Sequence, residues 1–254
     1  MKYSHVFITR PRRESEELAA RLAPLGLSCI IQPAFRYEAV DARTQQPEDF
    51  DAMTRADRNL LLIFTSPRAV EHGLVQIDAG VLARASLGAI GPATARALKA
   101  AGLPVGVRAE QGYTSEALLE TLARDARAGP AARRSVFILA APGGRRRLFD
   151  GIASLGWECR MLMVYRSQPD ELDKTALAAL GDASAVLSVW TSANAMKALS
   201  QRLPPAAWFR LCQGDWLVIS ERLRRLARAY GPPKIHLAAG PGNSELLAAI
   251  RNLA

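Results

Sequence analysis

Short runs of β-branched and aliphatic residues alternate along this chain with longer stretches whose apolar positions recur every third or fourth residue. The short runs predict strands at His5–Thr9, Ser28–Gln32, Leu60–Phe64, Ser86–Ile90, Val105–Val107, Val136–Leu139, Glu158–Val164, Ala185–Val189, Trp216–Ile219 and Lys234–Leu237. Between them, spacing such as Leu18, Leu22 and Leu25 gives a helix one buried stripe. Strands that alternate with helices predict an α/β fold of parallel sheets covered on both faces. Punctuation supports this. Pro11 and Pro92 stand at first helical positions, and Gly26 and Gly102 at C-terminal caps. Thr114 or Ser115, and Asn243 or Ser244, can cap helices beginning with Glu116 and Glu245.

The pattern repeats. Val6-Phe7-Ile8 recurs as Val136-Phe137-Ile138. At the same offset Leu18, Ala23, Leu25, Gly26 and Cys29 match Leu148, Ala153, Leu155, Gly156 and Cys159. Phe35-Arg36 is echoed by Tyr165-Arg166, Phe64-Thr65-Ser66 by Trp190-Thr191-Ser192, and Ser115-Glu116 by Ser244-Glu245. A collinear series of this extent implies a duplicated α/β unit. The polar segments Arg36–Pro47 and Arg166–Leu172 read as extended linkers at equivalent points of the two repeats. Spacing leaves open whether each half folds by itself or the linkers carry the chain across and back.

Composition narrows the class. The chain has 254 residues, 49% apolar and 22% charged, enough for two domains with their own cores. No apolar run approaches the roughly 20 residues of a membrane span. The N-terminal segment has no signal-peptide pattern, so a cytoplasmic location is expected. Cys29, Cys159 and Cys212 form no C-x-x-C and are expected as buried free thiols, and the three histidines have no metal-ligand spacing. The net charge of +9 suits an anionic partner. Aromatic content of 6% and the lack of any nucleic-acid module argue against a base-stacking platform.

No dinucleotide fingerprint, Walker loop or metalloprotease motif occurs; Gly143-Gly144-Arg145 does not complete G-x-G-x-x-G. What recurs is a small-hydroxyl turn between a strand and a helix. The four cases are Thr65-Ser66-Pro67, Gly91-Pro92-Ala93-Thr94, Thr191-Ser192-Ala193-Asn194 and Ser220-Glu221-Arg222. Ligands of parallel α/β sheets bind at the carboxyl ends of strands, where helix N-termini offer backbone N–H groups to carboxylates or phosphates. Arg10 and Arg145 follow equivalent strands and stand on that rim. Tyr165 precedes the second linker.

With Thr9-Arg10-Pro11, Phe64-Thr65-Ser66-Pro67-Arg68-Ala69-Val70, Ile90-Gly91-Pro92-Ala93-Thr94-Ala95, Gly143-Gly144-Arg145, Val164-Tyr165-Arg166 and Trp190-Thr191-Ser192-Ala193-Asn194-Ala195, the chain resembles the uroporphyrinogen-III synthases from about residue 5 to about residue 250. The resemblance implies two flavodoxin-like parallel-sheet domains joined by a two-stranded connector. One would be 1–37 plus 168–254 and the other the insertion 41–164. It implies a cytoplasmic, monomeric hydro-lyase of tetrapyrrole biosynthesis that closes hydroxymethylbilane to uroporphyrinogen III, inverting the last pyrrole ring and losing water. No metal or organic cofactor, nucleic acid or membrane would take part. Carried over by position, Tyr165 would assist departure of the hydroxyl. Ser66, Thr94, Ser192 and the backbone of Gly91–Thr94 would hold carboxylates, with Arg10, Arg145, Thr191, Asn194 and Ser220 as further substrate-binding candidates. Where some relatives have a glycine–threonine turn this chain has Ser220-Glu221-Arg222-Leu223, and Glu221 brings a negative charge to that turn. The alternatives are a two-lobed anion-binding or sensor module without catalysis, and a nucleic-acid-associated protein suggested by charge alone.

Overall fold

The computed structural model describes residues 2–56, 59–109, 114–128, 134–143 and 146–253. In chain order the strands are β1 (His5–Ile8), β2 (Ser28–Ile31), β3 (Phe35–Ala39), β4 (Leu60–Phe64), β5 (Ser86–Ala89), β6 (Val107–Arg108), β7 (Ser135–Ala140), β8 (Glu158–Met163), β9 (Tyr165–Pro169), β10 (Val186–Trp190), β11 (Asp215–Val218) and β12 (Ile235–Leu237). Two five-stranded sheets run β12-β11-β10-β1-β2 and β6-β5-β4-β7-β8, parallel throughout, with β3 and β9 as a separate pair. The chain divides into two compact units, Met1–Tyr37 with Gln168–Ala254, and Glu38–Ser167.

The sheet orders show what the duplication has become. Repeat-equivalent strands hold equivalent places: β1 and β7 are flanked by β10 and β2 in one sheet and by β4 and β8 in the other. Counted along its own chain, the discontinuous unit has the doubly wound order 2-1-3-4-5 of flavodoxin-like folds. The inserted unit has the same layout entered at a different strand. Each sheet therefore takes two strands from one repeat and three from the other. Gly26 and Gly156 end equivalent helical segments at φ 71° and 76°, a left-handed conformation natural to glycine.

The extended segments Arg36–Pro47 and Arg166–Leu172 carry the two-stranded connector that the resemblance implied. β3 and β9 pair there, and Ala42–Gln45 is a helical turn whose N–H groups are capped by Asp41. β3 alternates Phe35, Tyr37 and Ala39 with Arg36 and Glu38, whereas β9 is mostly polar, and Arg166 and Glu38 stand 2.9 Å apart across the pair. Each chain crossing is held by a glutamine. Gln32, fully buried, donates to the Pro33 and Glu171 carbonyls and accepts from Asp173 N–H. Gln76 donates to the Val40 and His72 carbonyls and accepts from Ala42 N–H. Two helix starts also differ from expectation: Pro11 is the N-cap residue rather than the first helical one, and Asn243 is helical after Gly242.

Strand alternation sorts the discontinuous unit's core onto two faces. Val6, Ile8, Leu187, Val189 and Leu217 pack on one, and Phe7, Trp190, Trp216 and Val218 on the other. On the second face Trp190, Trp208, Trp216 and Tyr230 form an aromatic cluster with centroids 4.8–5.9 Å apart. Gly214 enters β11 so closely that a Cβ would stand 2.5 Å from the Val186 carbonyl oxygen, which admits only glycine. In the inserted unit Leu61, Ile63, Val136 and Ile138 form one such face. The cysteines are half-buried rather than buried. Burial still pushes the Cys29 thiol up to about 11 and the Cys159 thiol up to about 12, so neither is a reactive thiolate at neutral pH.

At the amino-terminal edge of the discontinuous unit, Asp215 accepts from Lys2 (2.7 Å) and from the Tyr3 hydroxyl (2.5 Å), with His236 Nε2 at 3.3 Å. Burial alone would raise the Asp215 pKa, but the hydrogen bonds from Lys2, Tyr3 and His236 together outweigh it and hold the carboxyl below its ordinary value. A depressed folded-state pKa contributes stability above the unfolded pKa and loses it as pH falls through the folded one. Asp215→Asn is therefore expected to lower stability at pH 7 and to flatten its decline below about pH 4, as read by denaturant unfolding across pH. Parallel pH profiles for the two proteins would contradict this.

Candidate functional site

The carboxyl ends of three adjacent strands in each sheet carry the polar turns. In the inserted unit Gly91 and Thr94 follow β5 and Ser66 follows β4. The segment Gly143-Gly144-Arg145 comes after β7 in the chain, and Gly144 and Arg145 lie outside the described residues. In the discontinuous unit Ser220 follows β11, Thr191 and Ser192 follow β10, and Arg10 follows β1. Neighbouring strands stand ~4.8 Å apart, so each row is a line of polar groups along one rim.

The strongest arrangement is in the inserted unit. Tyr165 opens β9, is buried, and its hydroxyl lies 3.0 Å from Ser66 Oγ. Its ring stacks on His72, with centroids 5.8 Å apart and planes at 23°. Ser66 is the N-cap of the helix Pro67–Leu74 and accepts from Ala69 N–H. Thr65, beside it, donates to the Leu139 carbonyl and so ties β4 to β7. Thr65, Ser66 and Tyr165 line a cavity of about 530 Å³ with Ile138, Phe149, Met161 and Glu116, and Glu116 is paired with Arg147 at 3.2 Å. A hydroxyl pair at the edge of a largely apolar cavity can donate a hydrogen bond to a leaving oxygen in surroundings that strengthen it.

Gly91 is the N-cap of the helix Pro92–Ala100 and lines a second cavity rather than the first. Thr94, in its first turn, is buried and lines neither.

In the discontinuous unit Ser192 and Ser220 cap the helices Ala193–Arg202 and Glu221–Ala227, accepting from Ala195 and Leu223 N–H. Capping uses an acceptor lone pair and leaves the hydroxyl proton for another acceptor, so a cap can also donate to a carboxylate. Thr191 is half-buried and Asn194 exposed. Glu221, whose charge weighed against Ser220, is engaged by Arg224 at 3.0 Å.

Arg10 is half-buried and reaches Asn243 Oδ1 at 2.6 Å, while its Nε is buried without a hydrogen-bond partner. Burial lowers its pKa, and Glu14 and Glu17 counter part of that. An anion at Nε would complete its hydrogen bonding.

Sequence reasoning missed Asn243 as the partner of Arg10 and His72 as the surface that seats Tyr165. Asn243 drew notice only as a cap, and His72 only as a scattered histidine. Among the described residues no group of three or more His, Cys, Asp or Glu side chains could hold a metal ion, and no helix is long and apolar enough to cross a membrane.

Two doubly wound parallel-sheet units, each with helix N-termini along the carboxyl ends of its strands, define an α/β protein. Comparison with known proteins gives the family. The uroporphyrinogen-III synthase HemD family profile matches residues 16–248, and the chain belongs to the uroporphyrinogen-III synthase family of enzymes. It is 29% identical to the uroporphyrinogen-III synthase of Escherichia coli over 253 residues, 97% of this chain and 99% of that one. In fold it is similar to the Helicobacter pylori uroporphyrinogen-III synthetase, with TM-score 0.62 at 15% identity over 98% of this chain and 99% of that one. It is likewise similar to a mutant uroporphyrinogen III synthase from Thermus thermophilus, with TM-score 0.59 at 24% identity over 98% of each chain.

Proposed function

We propose that this protein closes hydroxymethylbilane to uroporphyrinogen III as a cytoplasmic, monomeric hydro-lyase, with its discontinuous and inserted units as two domains and without a metal or organic cofactor. The observation that carries this reading is the family match across nearly the whole chain, together with the Tyr165–Ser66 hydroxyl pair at a cavity where the family position predicts chemistry. The terminal hydroxyl leaves with a proton as water, assisted by a hydrogen bond from Tyr165, and the pyrrole nitrogen supplies the electrons to form an azafulvene. Attack by the substituted carbon of the last ring gives a spiro intermediate. The bond from the spiro carbon to its original bridging carbon then breaks, and that bridging carbon bonds the free α-carbon of the last ring, which loses its proton; the ring is thereby inverted. Each pyrrole carries an acetate and a propionate, and Arg10, Ser66, Gly91, Thr94, Arg145, Thr191, Ser192, Asn194 and Ser220 are the groups assigned to them.

The test is the product isomer. Freshly made hydroxymethylbilane closes unaided to the type I isomer; with this protein the type III isomer is expected, and type I alone would overturn the reading. Charge gives a second expectation. A charge-assisted hydrogen bond contributes ~1.5–3 kcal/mol, so Arg10→Ala is expected to raise KM roughly ten- to a hundredfold, and Arg145→Ala in the same direction. Raised salt should weaken capture more than the chemical step. Unchanged KM in both variants would make these arginines ordinary surface residues.

A further inference from the structure

The second cavity of the inserted unit, of about 440 Å³, adjoins the first, since Ile90 lines both. It lies where β5 ends, between the helix Pro92–Ala100 and the edge strand β6. Three cationic side chains line it, Arg96 and Lys99 from the helix and Arg108 from β6. Arg96 and Lys99 stand three residues apart and so share one helix face. Arg108 is in register with Ala89, the last residue of β5, which brings it beside the same opening. Among the described residues no carboxylate lines the cavity, and none of the three cations has a hydrogen bond or ion pair with a described residue. Several arginines elsewhere are matched: Arg68 with Glu71, Arg160 with Asp49, Arg166 with Glu38 and Arg224 with Glu221. No side chain among the described residues caps the helix Pro92–Ala100, so first-turn N–H groups remain open at Gly91, on the same cavity.

Like charges gathered in a concavity without counter-charge repel each other, and a bound anion reverses the sign of that interaction. We propose that Arg96, Lys99 and Arg108 form a carboxylate-binding subsite that holds acid side chains of a tetrapyrrole seated at the first cavity, and so position the chain for closure. The proposal rests on the function proposed above. The shared wall at Ile90 favours anionic groups borne by the molecule that occupies the first cavity. Three cations borne by two separate elements suit several carboxylates of one ligand better than a single compact phosphate.

The test compares the full-length wild-type protein with Arg96→Ala, Lys99→Ala and Arg108→Ala, singly and together. All three side chains are exposed, so the melting temperature should hold. The triple variant is expected to raise KM for hydroxymethylbilane by roughly tenfold or more, with kcat within about twofold and the type III isomer retained. Its log KM should also depend less steeply on log salt. Unchanged KM and salt slope in an active protein would overturn the proposal. A titration with uroporphyrin I, an octacarboxylate that is not turned over, separates this result from the parent reading. Weaker binding by the triple variant supports the subsite even where wild type gives no type III product. Equal porphyrin binding beside a lost thermal shift with inorganic pyrophosphate would make the cavity a phosphate site and sink the proposal.

Discussion

Replacing Tyr165 by phenylalanine is expected to lower turnover roughly ten- to a thousandfold, because one hydrogen bond to a leaving oxygen contributes ~2–4 kcal/mol. The variant keeps the ring on His72 and the core contact, and loses only the hydroxyl that meets Ser66. The product should remain type III. Departure of the hydroxyl is intrinsically easy, since the pyrrole nitrogen pushes the electrons; the harder task is holding a flexible chain so that inverted closure outruns direct closure. In the proposed mechanism Tyr165 serves the first and the bound geometry the second, so kcat is expected to fall while isomer selection survives. Ser66→Ala should cost less in turnover and about 1 kcal/mol in stability, since it removes the cap on Ala69 N–H. Full activity in Tyr165→Phe would make the tyrosine packing alone. A shift to the type I isomer would mean that the hydroxyl sets geometry and not departure.

The largest expected loss of stability comes from Trp190→Ala. Trp190 is fully buried at the end of β10, lies 4.8 Å from Trp216 and 5.9 Å from Trp208 between ring centroids, and donates its Nε1–H to Ser188 Oγ at 2.7 Å. Truncating a buried tryptophan costs ~3–5 kcal/mol, against ~5–15 kcal/mol for a whole domain. Trp190→Phe keeps most of the volume and should lose less than half as much. Urea unfolding followed by tryptophan fluorescence reads this well, because Trp190, Trp208 and Trp216 belong to the discontinuous unit and only Trp157 to the inserted one. A loss of about 1 kcal/mol or less would mean that Trp208 and Tyr230 close over the gap.

The strands of both sheets were legible because each is buried on two faces and reads as a continuous apolar run, as in Leu60–Phe64. The repeat was legible for the same reason, since Val6-Phe7-Ile8 and Val136-Phe137-Ile138 occupy central strands. β3 carried an alternation in Phe35, Tyr37 and Ala39, but it sits beside a polar stretch and its partner β9 is mostly polar, so their pairing came only from the resemblance. The hydroxyl turns could be found by their place between strand and helix. Arg10 and Asn243, 233 residues apart, could be joined only by the fold. Nor could Arg96, Lys99 and Arg108 be told from the other members of a set of 33 lysines and arginines until the edge strand brought Arg108 to the helix.

The exchange of strands between the repeats bears on how this chain is made. Emerging from the ribosome, β1 and β2 have no sheet to join until β10, β11 and β12 follow, the last ending at Leu237. Every strand of the inserted sheet has been synthesised by Met163. At ~5–20 residues per second, the leading strands wait on the order of ten seconds or more with apolar edges uncovered, while the later-made middle can already close. The sheet of β1 and β2, which precede the inserted unit in the chain, is thus completed after that unit's, and Val6, Phe7 and Ile8 are a segment that a nascent-chain chaperone would meet and that a stalled ribosome would leave exposed.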